Sequence, residues 1–318
     1  MRKSDFEVWL EGFKRLTRTQ RAHVLALMRA AEPPPAAQLL EDAGAPVLAC
    51  PACRGHHLHR HGHKSQLQRY RCVDCGRTFN SLTGTPMARL RLKDNWLAYC
   101  KALLRSDTVR RAAVRVGVHK NTAFRWRHRF LTLPKTDRPF PLHGIAEADE
   151  LFLRESEKGA RHLERPPRKR GGAATKRGIS REQVCIVVAR DRAGQTVDFI
   201  AGKGPVTKLQ LHRGLAPILA PDALLVTDAN ASYRYFAQER GFMHQWVNLK
   251  AGERVKGAVH IQNVNAYHSR FRGWLSNFHG VATHYLSNYL GWRWALDKSR
   301  IDDPAVLLRA TVGAFSHT

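Results

Sequence analysis

The chain has 318 residues, and its 53 Lys and Arg against 26 Asp and Glu give a formal net charge of +27. A hydrophobic content of 43% excludes a wholly disordered chain. The sequence has no run of about 18 apolar residues and no apolar signal region near its start, so we expect no membrane span and a cytoplasmic, nucleoid-associated protein. The positive charge predicts a polyanionic partner. Nucleic acid is favoured over a membrane surface because no single basic amphipathic helix carries the charge.

The first 45 residues are predicted to form a helical segment. Phe6, Trp9 and Phe13 recur at helical spacing. The proline run at 33–35 ends this segment and opens a linker.

Two CxxC pairs follow, Cys50-Pro-Ala-Cys53 and Cys72-Val-Asp-Cys75, with residues 54–71 between them. This spacing predicts a zinc ribbon over residues 46–82, in which two knuckles hold one structural Zn²⁺. Gly76 permits the tight turn that a knuckle needs. A disulfide pair or unrelated thiols are the alternative. The predicted zinc ligands are Cys50, Cys53, Cys72 and Cys75.

Residues 90–133 are predicted to form a helix-turn-helix. A first helix begins near Asp94, a second covers Thr108 to Val116, Gly117 makes the turn, and a third begins near Lys120. Polar residues at the start of the third helix would contact base edges and its arginines would contact phosphates. An ordinary helical hairpin is the alternative. The predicted DNA contacts are Lys120, Asn121, Thr122, Arg125 and Arg127.

After a proline-bearing linker, the pattern changes to alternating strands and helices. This pattern predicts a mixed sheet flanked by helices over residues 143–297, within an α+β or α/β multidomain chain. Residues 298–318 are predicted to be a C-terminal tail. The predicted strands are 144–153, 183–190, 195–201, 223–227 and 242–249, and the predicted helices are 207–219, 264–274 and 283–296.

The loop at 155–180, between the first two of these strands, is basic and rich in glycine. We expect it to be a mobile arm that contacts phosphates, and a solvated tract is the alternative. Its predicted DNA contacts are Arg168, Lys169 and Arg170.

Two aspartates are candidates for a divalent-metal site. Asp149 lies in the first predicted strand and Asp228 ends the fourth, so the two carboxylates can converge on a cation. Phosphoryl transfer uses oxygen ligands of this kind around Mg²⁺. Glu147 shares a strand face with Asp149, whereas Glu150 faces the other side and is expected to be structural.

Together, these motifs resemble an insertion-sequence transposase that joins a zinc ribbon and a helix-turn-helix to a DDE-type, RNase H-like catalytic domain. The resemblance extends from about Thr17 to Trp294. The residues that carry it are the zinc ribbon, Gly84-Thr85-Pro86, Thr122–Arg127, Glu147–Glu150, Val226–Asp228 and His260–Arg272.

The resemblance implies a set of catalytic residues. Asp149 and Asp228 match the first two metal-binding aspartates, the third acidic position falls on Asn265, and Arg272 matches a basic residue seven positions later. Seven residues are two helical turns, so Asn265 and Arg272 share a helix face. Asn offers a neutral oxygen in place of a carboxylate, and the alternatives for an assisting ligand are Glu147, Glu150 and His260.

The function implied is a DNA transposase. It would bind the element's terminal repeats, cut the 3′ strand and join the 3′-OH to target DNA with Mg²⁺ or Mn²⁺, as a homo-oligomer in the DNA complex. The alternatives are a DNA-binding regulator with a degenerate nuclease-like domain, a nuclease that only hydrolyses, and an RNA-binding scaffold.

Overall fold

A computed structural model of the protein describes residues 3–31, 35–43, 49–136, 141–163, 165–167, 174–248 and 251–312. Its N-terminal part contains helices and a small sheet whose three strands pair antiparallel in sequence order. These elements are α1 (Lys3–Lys14), α2 (Arg18–Ala31), α3 (Ala36–Ala43), β1 (Leu58–Lys64), β2 (Leu67–Cys72) and β3 (Thr78–Asn80).

Next come α4 (Trp96–Leu104), α5 (Val109–Val116), α6 (Lys120–Phe130) and the short α7 (Thr132–Thr136). The Thr108 hydroxyl accepts a hydrogen bond from Arg111 N at the start of α5, and Gly117 ends α5 with a φ of 69°. Glycine adopts this left-handed conformation without the steric cost that a Cβ would impose. The three predicted helices and the turn at Gly117 are confirmed.

The C-terminal half is built on a five-stranded mixed sheet. The strand order is β6–β5–β4–β7–β8; β4, β5 and β6 pair antiparallel, while β4, β7 and β8 run parallel. The predicted mixed sheet is therefore present. Its strands are β4 (Ile145–Arg154), β5 (Gln183–Asp191), β6 (Thr196–Lys203), β7 (Leu224–Asp228) and β8 (Met243–Val247).

Helices cover both faces of this sheet. Ala148 and Val187 contribute to a core shared with α8 (Lys208–Gly214) and α9 (Ala231–Arg240). Leu151 and Val188 point to the other face, where α10 (Gln262–Ser276) and α11 (Leu286–Leu296) pack. Alternating residues of one strand thus bury against different helices.

One helix prediction needs correction, and one helix was not predicted. The predicted helix at 207–219 divides, because Pro217 lies in a separate 3-10 turn, Ala216–Ile218, after α8. Helix α9 was not predicted, although Asn230 caps its first turn by accepting a hydrogen bond from Ser232 N.

The predicted C-terminal tail contains a packed helix, α12 (Pro304–Ala310). Leu307 and Leu308 are 2% and 0% exposed and belong to the same hydrophobic core as α4, α5 and α6. Trp292 of α11 also enters this core. The tail prediction is wrong for these residues, because their apolar face closes the core of the N-terminal helices.

In the part of the chain that the structure describes, no helix combines the length and apolar character needed to cross a membrane.

Candidate functional site

Three carboxylates meet where β4 and β7 lie side by side. The strands are parallel with Glu147 opposite Val226, and continuing this register by two residues places Asp149 beside Asp228. Oxygen atoms of Asp149, Glu150 and Asp228 all lie within 4.8 Å of one another. The structure therefore brings together the two predicted aspartates and adds Glu150.

Asn230 fixes two of these carboxylates from the turn after β7. Its backbone N donates to Asp228 Oδ1 at 3.0 Å, and its side-chain Nδ2 donates to Glu150 Oε1 at 3.1 Å. The same side chain caps α9. The start of α9 thus holds Asp228 and Glu150 at a fixed separation.

Burial disfavours the ionised form of these carboxyl groups when no cation is bound. It raises the pKa of Asp149 to about 7, and the neighbouring Asp228 adds to the effect. It also raises the pKa of Glu150 to about 8, with Asp149 and Asp228 contributing. Mg²⁺ and Mn²⁺ prefer oxygen donors of this kind, so the residues fit the cations that the resemblance implies.

Helix α10 lies beside the carboxylate cluster. Asn265, His268 and Arg272 follow at three- and four-residue steps and share one helix face. His268 Nδ1 is 3.8 Å from Asp149 Oδ2, and the positive charge of Arg272 opposes the rise in the pKa of Asp149. Asn265 and Arg272 are exposed, whereas His268 is 8% exposed. His268 was not among the predicted site residues, although its spacing from Asn265 indicated that it shares this helix face.

Glu147 does not belong to the cluster. It is fully buried and accepts hydrogen bonds from Asn263 Nδ2 at 2.8 Å and from Val264 N at 3.0 Å. Its other contacts are an ion pair with Arg192 at 2.7 Å and His260 at 3.4 Å. Because Val264 lies in the first turn of α10, Glu147 satisfies an N–H group that the helix leaves unbonded.

The alternatives for an assisting ligand were Glu147, Glu150 and His260. Glu147 and His260 lie instead at the start of α10, where Glu147 accepts a hydrogen bond from Val264 N. Glu150 was expected to be structural, and it does begin on the opposite face, since its strand partner Val187 packs toward α9. Its carboxylate nonetheless reaches Asp228, because β7 ends there.

The four predicted zinc ligands also converge. Cys50 Sγ is 3.7 Å from Cys75 Sγ and Cys53 Sγ is 3.6 Å from Cys72 Sγ, with all four sulfurs within 4.8 Å of one another. Tetrahedral Zn²⁺ with bonds of about 2.3 Å separates its sulfurs by about 3.8 Å. A disulfide would need about 2.05 Å, so this geometry fits zinc and not a disulfide.

The two cysteine pairs have matching backbone geometry. Cys50 N donates to Gly55 O, and Cys72 N donates to Arg77 O. The residue after each second cysteine, Arg54 or Gly76, has a positive φ of 62° or 69°. The predicted turn at Gly76 is present, and the repeat of one turn in both halves is typical of paired zinc knuckles.

Four of the five DNA contacts predicted on the third helix are accessible on α6. Lys120, Asn121 and Arg125 are exposed, and Thr122 is half-buried. Phe124 is 40% exposed and packs edge-on against Tyr285 at 5.3 Å between ring centroids. The outer surface of α6 therefore combines cationic, amide and aromatic groups. Arg168, Lys169 and Arg170 lie outside the residues that the structure describes.

Arg127 is the exception, and its assignment as a DNA contact is wrong in this structure. It is 1% exposed and donates to Asp107 O at 2.6 Å and to the Tyr289 hydroxyl at 3.2 Å. Its guanidinium carbon also lies 4.9 Å from the centre of the Trp292 ring. Arg127 therefore ties α6 to α11 instead of facing solvent.

Two adjoining clefts run between α6 and α10. A cleft of about 820 Å³ is lined by Lys120 and Asn121, and one of about 730 Å³ is lined by Arg272. Both clefts share the wall formed by Lys158, Gly159, Gly280 and Val281. A continuous surface thus connects the exposed end of α6 with the helix beside the carboxylates.

Comparison with known sequences decides the family. Residues 141–294 match the ISXO2-like transposase domain. An uncharacterized protein in transposable element ISH50 of Halobacterium salinarum is 30% identical over 244 residues, which cover 76% of this chain and 82% of that protein. This chain belongs to the ISXO2-like transposase family. The family match contains both strands that carry the carboxylates and the whole of α10, so the cluster lies within the transposase domain.

Two solved structures show only a weak likeness. A pre-cleavage Mos1 transpososome is 13% identical, covers 70% of this chain and 79% of its own, and has a TM-score of 0.23. A Mos1 strand transfer complex is 14% identical, covers 64% and 75%, and has a TM-score of 0.21.

Proposed function

We propose that this chain is a DDE-type transposase that binds the ends of its mobile element and catalyses metal-dependent strand cleavage and strand transfer. The observation that carries the proposal is the convergence of Asp149 and Asp228 on adjacent parallel strands within the matched transposase domain. The five-strand order, with α10 beside the carboxylates, supports an RNase H-like catalytic domain.

Asp149, Asp228 and Asn265 are the proposed ligands of the catalytic Mg²⁺ or Mn²⁺. Bound divalent ions would activate the attacking oxygen and stabilise the leaving oxygen of an in-line displacement at phosphorus. The exposed Arg272, on the same face of α10 as Asn265, would attract the DNA phosphate next to the carboxylates. Glu147 holds the first turn of α10 and so positions both residues.

The N-terminal half would bind the terminal repeats. Lys120, Asn121, Thr122 and Arg125 are the proposed DNA contacts on α6, because they are accessible and lie at the start of the third helix of the proposed helix-turn-helix. The adjoining clefts give double-stranded DNA held by α6 a route toward Arg272. The arm with Arg168, Lys169 and Arg170 is proposed to add phosphate contacts, and a homo-oligomer is proposed for the DNA complex.

The cysteine cluster is proposed to bind one structural Zn²⁺ through Cys50, Cys53, Cys72 and Cys75. The matched backbone turns and the sulfur separations support this assignment.

A cleavage and strand-transfer assay tests the proposed function. Labelled element ends are incubated with the purified protein and Mg²⁺ or Mn²⁺. We expect nicked and joined products from the wild type, and loss of both from Asp149→Asn and Asp228→Asn with unchanged end binding. Asp222→Asn makes the same chemical change at an exposed position and should remain active.

The products also separate the alternatives. Cleavage without joining would identify a nuclease that only hydrolyses. End binding without cleavage at any cation concentration would identify a DNA-binding regulator and overturn the proposed chemistry.

A further inference from the structure

Position 265 leaves the proposed cation site short of negative charge. Asp149 and Asp228 supply two carboxylates, and Asn265 supplies a neutral amide oxygen. The number of charged ligands sets divalent-ion affinity. A third carboxylate is therefore the group to search for around the two aspartates.

Glu150 occupies the right place. One of its oxygens lies within 4.8 Å of oxygens from both Asp149 and Asp228. A hard divalent cation with oxygen ligands at about 2.0–2.6 Å, or a close pair of such ions, spans separations of this size. The three carboxylates are therefore close enough for one cation, or a close pair of cations, to bridge them.

The described part of the chain provides no ion pair for Glu150. Among the described residues, no Lys or Arg forms an ion pair with Glu150 or Asp228, and the hydrogen bond to Glu150 from Asn230 comes from a neutral amide. Glu147, on the same strand, pairs with Arg192 at 2.7 Å. The two glutamates thus differ in what compensates their charge.

A second feature of the site points to a ligand independently of the acidic residues. His268 is 8% exposed, and its Nε2 has no hydrogen-bond partner within the described part of the chain. Its other nitrogen lies 3.8 Å from Asp149 Oδ2. A buried polar nitrogen without a partner is costly, and a bound ion with its water would satisfy it.

We propose that Glu150 is a direct ligand of the divalent cation and supplies the third carboxylate that position 265 lacks in this chain. The inference rests on the proposed function for the identity of the site, and it concerns only how the cation is held. Asn265 then contributes a weaker contact from α10, and His268 closes the site beside Asp149.

Mn²⁺ titration of the full-length, zinc-loaded protein without DNA tests this inference. Free Mn²⁺ is followed by electron paramagnetic resonance, and the thiolate cluster does not compete because thiolates prefer Zn²⁺. Glu150→Gln keeps the size of the side chain and one oxygen to accept the hydrogen bond from Asn230 Nδ2, but removes the charge. We expect it to weaken Mn²⁺ binding by about tenfold or more, and Asn265→Ala to weaken it by about threefold or less.

Glu253→Gln is the matched control, since Glu253 is exposed and outside the cluster. It should bind Mn²⁺ like the wild type. Circular dichroism checks that each variant is folded, and Glu150→Asp, which keeps the charge on a shorter side chain, should retain more affinity than Glu150→Gln.

Wild-type Mn²⁺ affinity in folded Glu150→Gln would overturn the inference, as would absence of Mn²⁺ binding by the wild type. Failure of the proposed function looks different. A protein that binds Mn²⁺ through Glu150 but does not cleave element ends would keep this ligand and lose the transposase chemistry.

Discussion

Arg125 and Arg127 show how two arginines on one helix take different roles. The buried positions of α6 are Ala123, Trp126, Arg127 and Phe130. This is the i, i+3, i+4, i+7 pattern of a core-facing stripe, and Arg127 lies on it. Arg125 lies outside the stripe and is exposed. The helical period was therefore a signal in the sequence that Arg127 would be buried.

Replacing these arginines should separate stability from DNA binding. Arg127→Ala removes two hydrogen bonds and the stacking on Trp292, so it should lower the free energy of unfolding by about 3 kcal/mol. Urea denaturation measures this loss. A change below about 0.5 kcal/mol would show that the buried contacts do not stabilise the helix.

Arg125→Ala is the counterpart in DNA binding. It should leave the free energy of unfolding within about 0.5 kcal/mol of the wild type and reduce the salt dependence of end binding by about one counterion. Titrations of labelled element ends at several salt concentrations measure the slope. An unchanged slope and affinity would remove Arg125 from the DNA interface.

At the scale of elements, the two zinc knuckles have little core of their own. Among the described residues, their buried apolar cluster consists of Cys50, Cys72 and Phe79. A module this small depends on its metal for folding. Cys72→Ser should therefore abolish zinc binding and expose strands β1–β3 to proteolysis. Elemental analysis should find about one zinc per wild-type chain and none retained by the variant.

Cys100→Ser provides the control for this change. Cys100 is buried in α4, away from the cluster, so the variant should keep its zinc. Zinc-free wild-type protein purified under reducing conditions would end the zinc assignment.

The contact between α6 and α11 should weaken in acid. Burial, with the positive charge of Arg127 and a contribution from His284, lowers the pKa of His128 from 6.5 to about 4. His128 stacks on Tyr285 at 3.7 Å between ring centroids, and its Nδ1 lies 2.9 Å from Asn288 Nδ2. Between pH 6.5 and pH 4, His128 binds a proton in the unfolded chain but not in the folded chain. The free energy of unfolding therefore falls as the pH decreases from about 6.5 to about 4.

Denaturation midpoints at pH 7.5 and pH 5 measure this effect. The fall in midpoint between these values should be smaller for His128→Gln than for the wild type, whereas exposed His143→Gln should behave like the wild type. Equal falls for all three proteins would contradict the role given to His128.

At the scale of the whole molecule, helices α4–α6 and the transposase domain are not independent units. Helices α3, α4, α5, α6, α11 and α12 share one hydrophobic core. A domain boundary drawn through the sequence at residues 133–143 therefore crosses a packed interface. Helix α11 also packs against the sheet beside the carboxylates, so in the proposed DNA complex a force on α6 would reach this sheet through α11.

The C-terminal helix should be required for this arrangement. Leu307→Ala with Leu308→Ala removes two buried side chains and should lower the free energy of unfolding by about 4 kcal/mol or more. End binding should weaken as α4–α6 lose their support. Val306→Ala, at a residue 38% exposed, should change the free energy of unfolding by less than about 1 kcal/mol. Unaltered stability in the double variant would restore the tail interpretation.

The features that depend on local chemistry are specified by short stretches of sequence. The ligand type and spacing of Cys50, Cys53, Cys72 and Cys75 are set within short segments. The five strands and the helices α4, α5, α6, α10 and α11 follow from periodicity, caps and glycine turns. The positions of Asp149 and Asp228 at matching places on neighbouring strands were expected from the same patterns and the family resemblance.

Contacts between segments far apart in the sequence set which charges are paired and which side chains are buried together. The carboxylate of Glu150 lies close to Asp228 because β7 ends beside β4. Glu147 instead accepts a hydrogen bond from Val264 N of α10 and pairs with Arg192. Helix α12 is short, and its sequence alone predicts a tail. In the structure, Leu307 and Leu308 are buried in the core of α4–α6. Side-chain alternation and helical period are local properties, whereas the partner that buries or neutralises a side chain comes from residues far away in the sequence, so no local pattern specifies it.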